Sequence, residues 1–378
     1  MRPISHSSER QRILAIDRRL IEIASWLIPD RLLNPTLASR QRAIEQVRQA
    51  LRLRRMVSPR LDYLPLPMDT IDASARALDA VPFGDTDVDQ LLQEQAQALH
   101  MQLDLLKARG TPHYGQVATT IYGLPTEALA ARAREILCDR YLTDTVPVDS
   151  ERESTGPLLA AQEMAEEMRR ALRDMSIHGW RVLITDEMSA RMSVSARHRE
   201  VRVKTDSMFT REDRDRLIVH ELGVHVRRAC NGFSTGLLNI GLGLCGYIAT
   251  EEGLASAMEE RNGLLRRSHI KMYAWRALGA HFGHTLSFAE TFEALSDLGA
   301  SPSLAWDVTL RVKRGLEDTD IPGCFPKDYV YLHGRELVSE YLNNGGSTDD
   351  LYLGKIAIEH IPRIKRMLRD WDFAATAA

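Results

Sequence analysis

The segment His220-Glu221-Leu222-Gly223-Val224-His225 constrains this chain more than any other. Two imidazoles flank a carboxylate, which is the side-chain set of a hydrolytic zinc site. Neutral ring nitrogens suit Zn²⁺. The carboxylate of Glu221 stays off the metal and accepts a proton from the attacking water. The spacing, however, is HExxxH. At about 100° per residue, positions i and i+5 of an α-helix diverge by roughly 140°, whereas i and i+4 differ by about 40°. Both imidazoles face one metal only if the helix absorbs an extra residue, as a π-bulge does. Gly223 lies inside the spacing, where flexible backbone eases that distortion.

A third ligand is within reach. Thr250-Glu251-Glu252-Gly253-Leu254-Ala255 opens another helix, and the glycine-rich stretch from Gly232 to Gly246 is long enough to turn the chain back. A carboxylate from this second helix completes a His₂Glu set, with the fourth position left to water. Glu251 and Glu252 compete for that role. Either also suits a helix N-terminal turn, where the dipole favours acidic residues.

Around these motifs the periodicity is mostly helical. Residues 8–27 and 36–56 read as amphipathic helices, and helical patterns return at 87–108, 126–142 and 156–175. Ser58-Pro59 and Leu64-Pro65-Leu66-Pro67 break the pattern. We therefore expect a helical N-terminal arm over 1–58 and a catalytic domain over 59–378. The period changes at Trp180–Thr185, then at Met192, Val194 and Ala196, and at Val201 and Val203. These three short strands predict a small antiparallel sheet just before the histidine helix. Thr210-Arg-Glu-Asp213 predicts a capping box that starts that helix. The expected class is α+β, predominantly α.

Bulk properties exclude several roles. A net charge of −3 gives no reason to expect nucleic acid as a partner. No apolar run reaches the roughly 20 residues of a membrane helix. The N-terminus lacks the apolar region of a secretory signal. Cys138, Cys230, Cys245 and Cys324 form no CxxC pair and read as buried reduced thiols, which implies the cytoplasm.

The paired signature HELGVHVRRACNG and YIATEEGLA resembles that of the DUF1704 proteins. These include bacterial QEGLA-motif proteins and the eukaryotic microtubule-associated tyrosine carboxypeptidases, which remove the C-terminal tyrosine of α-tubulin. Gly110-Thr-Pro-His-Tyr114 through Gly123, and Pro322 through Leu332, are similar to two further segments of that family. The resemblance implies a zincin-like metallopeptidase holding one Zn²⁺ on His220, His225 and Glu252, with Glu221 as the catalytic base. The bacterial name has Gln where this chain has Glu251, which moves the ligand role to Glu252. A peptide or protein C-terminus is the implied substrate, with an aromatic or bulky last residue.

Further candidates follow from this reading. Arg228 and Asn231 stay near the histidines and serve either the substrate carboxylate, the surroundings of the metal ligands, or the helix end. Arg311, Arg314 and Lys327 are candidate carboxylate clamps. Tyr247 and Tyr331 are candidate donors to the oxyanion. His281 and His284 read as structural. Two other functions fit the same ligands: a non-catalytic metal-binding regulator, and a zinc amidohydrolase acting on small amides. The base at Glu221 distinguishes an enzyme from a structural metal site.

Overall fold

Side-chain caps set where the helices of this chain begin. Thr36, Thr86, Thr126, Thr210, Ser287 and Ser301 each accept a hydrogen bond from the backbone N–H three residues on, satisfying a donor that the helix itself leaves open. The computed structural model describes residues 6–27, 32–53, 55–138, 158–186, 188 and 190–370. The N-terminal half contains α1 (His6–Ile23), α2 (Leu37–Arg52), α3 (Met68–Asp79), α4 (Asp87–Ala108), α5 (Tyr114–Tyr122), α6 (Glu127–Leu137) and α7 (Ala161–Asp174). The expected helix tails at 139–142 and 156–157 lie outside the described residues.

The strands follow. β1 (Leu159–Ala160) pairs antiparallel with β5 (Met208–Phe209). β2 (Arg181–Thr185), β3 (Met192–Ser195) and β4 (Glu200–Lys204) form a sheet in the order β2-β4-β3. Only β3 and β4 are antiparallel; β2 runs parallel to β4. The sheet is therefore mixed, which corrects the expected antiparallel arrangement. The tight turn after Ser195 makes β3 and β4 an antiparallel hairpin, and β4 takes the middle position, with β2 parallel on its other side.

The histidine helix comes next, as three consecutive pieces: α8 (Arg211–Leu217), a π-helix (Ile218–Val226) and α9 (Arg227–Ser234). The capping box is present: Thr210 Oγ1 accepts from Asp213 N at 3.0 Å, and Asp213 Oδ2 accepts from Thr210 N at 3.3 Å. Beyond lie α10 (Leu238–Leu242), α11 (Tyr247–Arg261), α12 (Arg267–Gly283), α13 (Phe288–Asp297), α14 (Pro302–Lys313), α15 (Val330–Asn343), α16 (Thr348–Leu351) and α17 (Ile361–Asp370).

Three buried apolar clusters organise these elements. One joins the sheet and α7 to Leu222 and Val226 of the π-helix. A second joins α1, α3, α4 and the C-terminal helices to Val224 of the same π-helix. A third gathers α6, α12, α13 and α14, with Ala43 and Val47 of α2. The π-helix is thus wedged between the sheet layer and the helical core, and its histidine face turns to α11. Helix α1 is part of the core: Asp17 is 1% exposed and accepts from the backbone N–H groups of Leu238 and Asn239, capping α10.

Helices α11 and α15 meet backbone to backbone. A Cβ on Gly253 would stand 2.0 Å from Gly334 O, and one on Gly334 would stand 2.0 Å from Ala249 O. Only glycine at both positions permits that approach. It fixes the depth of the helix that carries Glu251 and Glu252. The glycine of the signature therefore serves packing rather than chemistry.

Candidate active site

The π-helix resolves the geometric problem posed by the histidine spacing. Across it the Arg227 N–H reaches back five residues to Leu222 O, the wider hydrogen bonding that the motif requires. The two imidazoles converge, with ring centroids 4.7 Å apart and planes at 83°. A Cβ added at Gly223 would meet only Ile218 O, at an ordinary 3.6 Å. The widening thus has no steric need of that glycine.

Glu252 of α11 faces the pair. Ligand atoms of His220, His225 and Glu252 all lie within 4.8 Å of one another, with His220 Nε2 3.7 Å from Glu252 Oε2. Each imidazole is held from behind by another carboxylate. His220 Nδ1 is 2.7 Å from Glu259 Oε1, and His225 Nδ1 is 2.8 Å from Glu251 Oε1. With Nδ1 facing a carboxylate, each ring presents Nε2 to the space shared with Glu252. This back-side arrangement orients metal-binding histidines and raises their basicity.

These outer carboxylates are buried and charge-balanced. Glu259 also accepts from Arg216, at 2.9 Å. Glu251 accepts from Lys355 at 2.5 Å and from Arg228 at 2.9 Å. Burial alone would raise the Glu251 pKa, but Lys355, His225 and Arg228 outweigh it and hold the group well below the usual range. Burial alone would lower the His220 pKa. The bond to Glu259 and the charges of Glu221, Glu259 and Glu252 reverse this and raise it to about 9. The surroundings therefore favour positive charge at this point. Glu221 is buried beside His220 and has no hydrogen-bond partner among the described residues. A neutral-imidazole, carboxylate donor set in such a field fits a borderline divalent cation such as Zn²⁺.

Sequence reasoning missed Glu259, Arg216 and Lys355. Glu259 had a signal, since it follows Glu252 by two helical turns and shares its face. Lys355 had none: it reaches Glu251 from a loop 104 residues away. Glu251, although not placed as a ligand, stands behind His225. An amide can accept from His225, but its NH₂ then faces the Arg228 guanidinium. We expect Glu251→Gln and Glu259→Gln each to weaken zinc binding by about 10–100-fold. Competitive chelator titration measures this, and unchanged affinity in both would contradict the orienting role.

Beside Glu252 opens a cavity of about 270 Å³, lined by Tyr247, Ile248, Glu251, Glu252, Arg311, Arg314, Lys327, Val330 and Tyr331 among others. Three of its wall residues are cations. Asp328 anchors two of them, at 2.5 Å from Arg311 and 3.7 Å from Arg314. Arg314 also packs on the Phe325 ring, 4.5 Å from its centroid. Tyr331 stacks on Tyr273, with centroids 5.3 Å apart and planes at 16°. The charge of Glu252 first, then burial, raises the Tyr331 phenol far above its usual range. At neutral pH it is a hydrogen-bond donor. Tyr247 is half-buried, with the Lys355 ammonium 5.4 Å from its ring centroid. The Gly110–Gly123 and Pro322–Leu332 segments meet each other here. A Cβ on Gly115 would stand 2.7 Å from the Cα of Gly323, and Tyr122 packs edge-on against Phe325.

Arg228 is not at the cavity, which corrects its candidacy as a substrate clamp. It is fully buried, and donates to Leu351 O, Glu251 Oε2 and Ile356 O. Its place on α9, behind His225, turns it away from the open side. Asn231 likewise donates to Tyr352 O. The cysteines depart from expectation as well. All four are free, but Cys138 is exposed at the end of α6, and only Cys324 is buried.

Asp328 gives the cavity wall a pH signature. Burial would raise its pKa, but Arg314 and Arg311 lower it to about 2, from 3.8. A depressed carboxylate stabilises the fold fully above its unfolded pKa. That contribution fades as pH falls from 3.8 through 2. It amounts to about 2 kcal/mol. Urea unfolding from pH 5 to pH 2 should show wild type and Asp328→Asn converging as acid is added. A constant gap would contradict the assignment.

Comparison with known proteins now bears on this geometry. The chain is 32% identical over 167 residues to the mouse protein named "Putative tyrosine carboxypeptidase MATCAP2", covering 40% of this chain and 30% of that one. It is 30% identical over 159 residues to human microtubule-associated tyrosine carboxypeptidase 1, covering 39% of this chain and 32% of the relative. The match thus spans about a third of the length of these curated relatives. A family model described as microtubule-associated tyrosine carboxypeptidase matches residues 51–371, most of the chain, and takes in the π-helix, α11 and the cationic cavity alike. The chain therefore belongs to the microtubule-associated tyrosine carboxypeptidase (MATCAP) family.

Proposed function

We propose that this protein is a zinc-dependent carboxypeptidase of zincin-like architecture that releases an aromatic or bulky C-terminal residue. The observation that carries the reading is the cationic cavity beside Glu252. Its size, about 270 Å³, suits one terminal residue rather than a chain running through it. Arg311, Arg314 and Lys327 offer a planar fork or a point charge to a free carboxylate. Tyr247, Tyr331, Ile248 and Val330 offer apolar surface to the side chain above it.

His220, His225 and Glu252 would hold the zinc ion, which supplies Lewis acidity to the scissile carbonyl and acidity to water. Glu221 accepts the proton of the attacking water and returns it to the leaving amine. Tyr331, held as a neutral phenol, donates to the oxygen that becomes negative. Strand β3 is an edge of its sheet among the described residues, and the residues upstream of the cleaved bond would pair with it through main-chain hydrogen bonds. The substrate is a peptide or protein C-terminus. A reducing, cytoplasmic setting agrees with four free cysteines. No helix of the described residues is long and apolar enough to cross a membrane.

Peptides with free and amidated C-termini test this directly. Amidation removes the charge that the cations recognise. It should reduce cleavage at least ~10-fold, because a charge-assisted hydrogen bond contributes about 1.5–3 kcal/mol. Arg314→Ala or Lys327→Ala should impair cleavage of free-acid peptides and leave amidated ones nearly unaffected. Equal cleavage of both peptide classes, or cutting mainly within the chain, would overturn the carboxypeptidase reading.

A further inference from the structure

A second set of ligand atoms converges away from the histidine helix, where α4, the loop before α11 and the start of α17 meet. Glu94 lies on α4, Cys245 two residues before Tyr247, and His360 at the end of the 3₁₀ turn Ile358–His360. A carboxylate oxygen, the Sγ and a ring nitrogen of these residues all lie within 4.8 Å of one another. Glu94 Oε2 is 3.6 Å from His360 Nε2, almost the 3.7 Å that separates Glu252 Oε2 from His220 Nε2. That distance is long for a hydrogen bond. It matches the edge, about 3.3–3.8 Å, of a tetrahedron of ligands placed about 2.0–2.3 Å from a central ion.

The imidazole is the informative member. The His360 side chain is 7% exposed. Its buried Nδ1 has no hydrogen-bond partner among the described residues, and Nε2 has only the distant Glu94. Burying Nδ1 without a hydrogen bond is costly. Glu94, by contrast, is held firmly: Arg363 donates to both its oxygens, at 2.6 and 2.8 Å. A thiol, an imidazole and an acid are also the members of a nucleophilic triad. In such a triad one ring nitrogen is hydrogen-bonded to the acid and the other to the thiol. Here Nδ1 has no hydrogen-bond partner among the described residues and Nε2 lies 3.6 Å from Glu94, so that arrangement is absent.

We propose that Glu94, Cys245 and His360 form a second metal site that takes zinc or a similarly borderline divalent cation. A thiolate, an imidazole and a carboxylate are zinc ligands and are poorly suited to Mg²⁺ or Ca²⁺. Thiolate and carboxylate together carry two negative charges, balancing the ion. Binding displaces the thiol proton to solvent. Each carboxylate oxygen has two lone pairs, so Glu94 can bind the ion while Arg363 keeps it oriented. The site would tie together three segments distant in sequence. One leads directly into α11, which carries Glu251 and Glu252; another follows Lys355. Its role is therefore to clamp the helix behind the first metal centre. The proposal does not depend on the peptidase reading.

Cobalt substitution separates the two sites, because only this one contains sulfur. Full-length protein titrated with Co²⁺ should develop a near-ultraviolet thiolate-to-cobalt charge-transfer band, which saturates at one equivalent once the histidine site is disabled by His220→Ala. The band should persist in His220→Ala and vanish in Cys245→Ser and His360→Ala. Zinc should also raise the melting temperature of His220→Ala, and should slow alkylation of Cys245 read by mass spectrometry. Folded wild-type protein with no thiolate band would overturn the proposal, as would a band that survives Cys245→Ser. If Cys245→Ser fails to fold, the alkylation result decides: equal rates with and without zinc exclude the site.

Discussion

Glu221→Gln should lower turnover by about 10²–10⁴-fold while leaving the fold and zinc content unchanged, the size expected when a general base is removed. Gln has the volume and shape of Glu, and Glu221 has no hydrogen-bond partner among the described residues to lose. The substitution removes the proton acceptor and little else. Zinc should stay, because the ligands proposed for it are His220, His225 and Glu252, whose ligand atoms converge within 4.8 Å of one another. The check is a paired measurement: release of the C-terminal residue from a free-acid peptide, and elemental analysis of the same sample. Loss of activity together with zinc would mean that Glu221 is a ligand. Full activity with zinc retained would mean that another group moves the proton. His220→Ala should lose metal and activity together, giving the opposite pattern.

The largest effect on stability should come from Arg228→Met. This guanidinium has no exposed surface and holds three acceptors at 2.7–2.9 Å. Truncating it leaves the carbonyls of Leu351 and Ile356 without that donor and Glu251 with one cation fewer. Breaking a buried charge pair on one side costs about 3–5 kcal/mol, far more than the pair contributes when intact. Urea unfolding of the metal-free protein measures it. Arg228→Lys should not rescue stability, because an ammonium cannot span three acceptors in a planar fork. A loss below about 1 kcal/mol would show that the network is dispensable. The effect should extend to the metal, since Glu251 backs His225.

The convergence of His220, His225 and Glu252 was legible because these residues lie in two short local motifs. Spacing within one helix determines angle, so HExxxH demanded a widened turn, and the π-helix over Ile218–Val226 follows from that demand. Caps were legible for the same reason: Thr210 and Asp213 are three residues apart and meet through local backbone geometry alone. The helical class and the position of the strands rest on periodicity, which is also local.

Tertiary structure decided the rest. The direction of β2 relative to β4 depends on which strand takes the central position, and that choice is made by packing rather than by the alternation within each strand. Arg228 was left open between a substrate clamp, a support of the metal ligands and a helix-end cation, because its three acceptors come from residues 23 to 128 positions away. The part Glu251 plays was not legible, because one residue's chemistry cannot reveal that Lys355 and Arg228 will be buried against it. The close approach of Gly253 and Gly334 joins two helices whose sequences carry no mark of each other. Local sequence determines which ligands this protein can offer. Burial and long-range charge pairing determine which nitrogen each histidine presents, and where the cations that would meet a substrate stand.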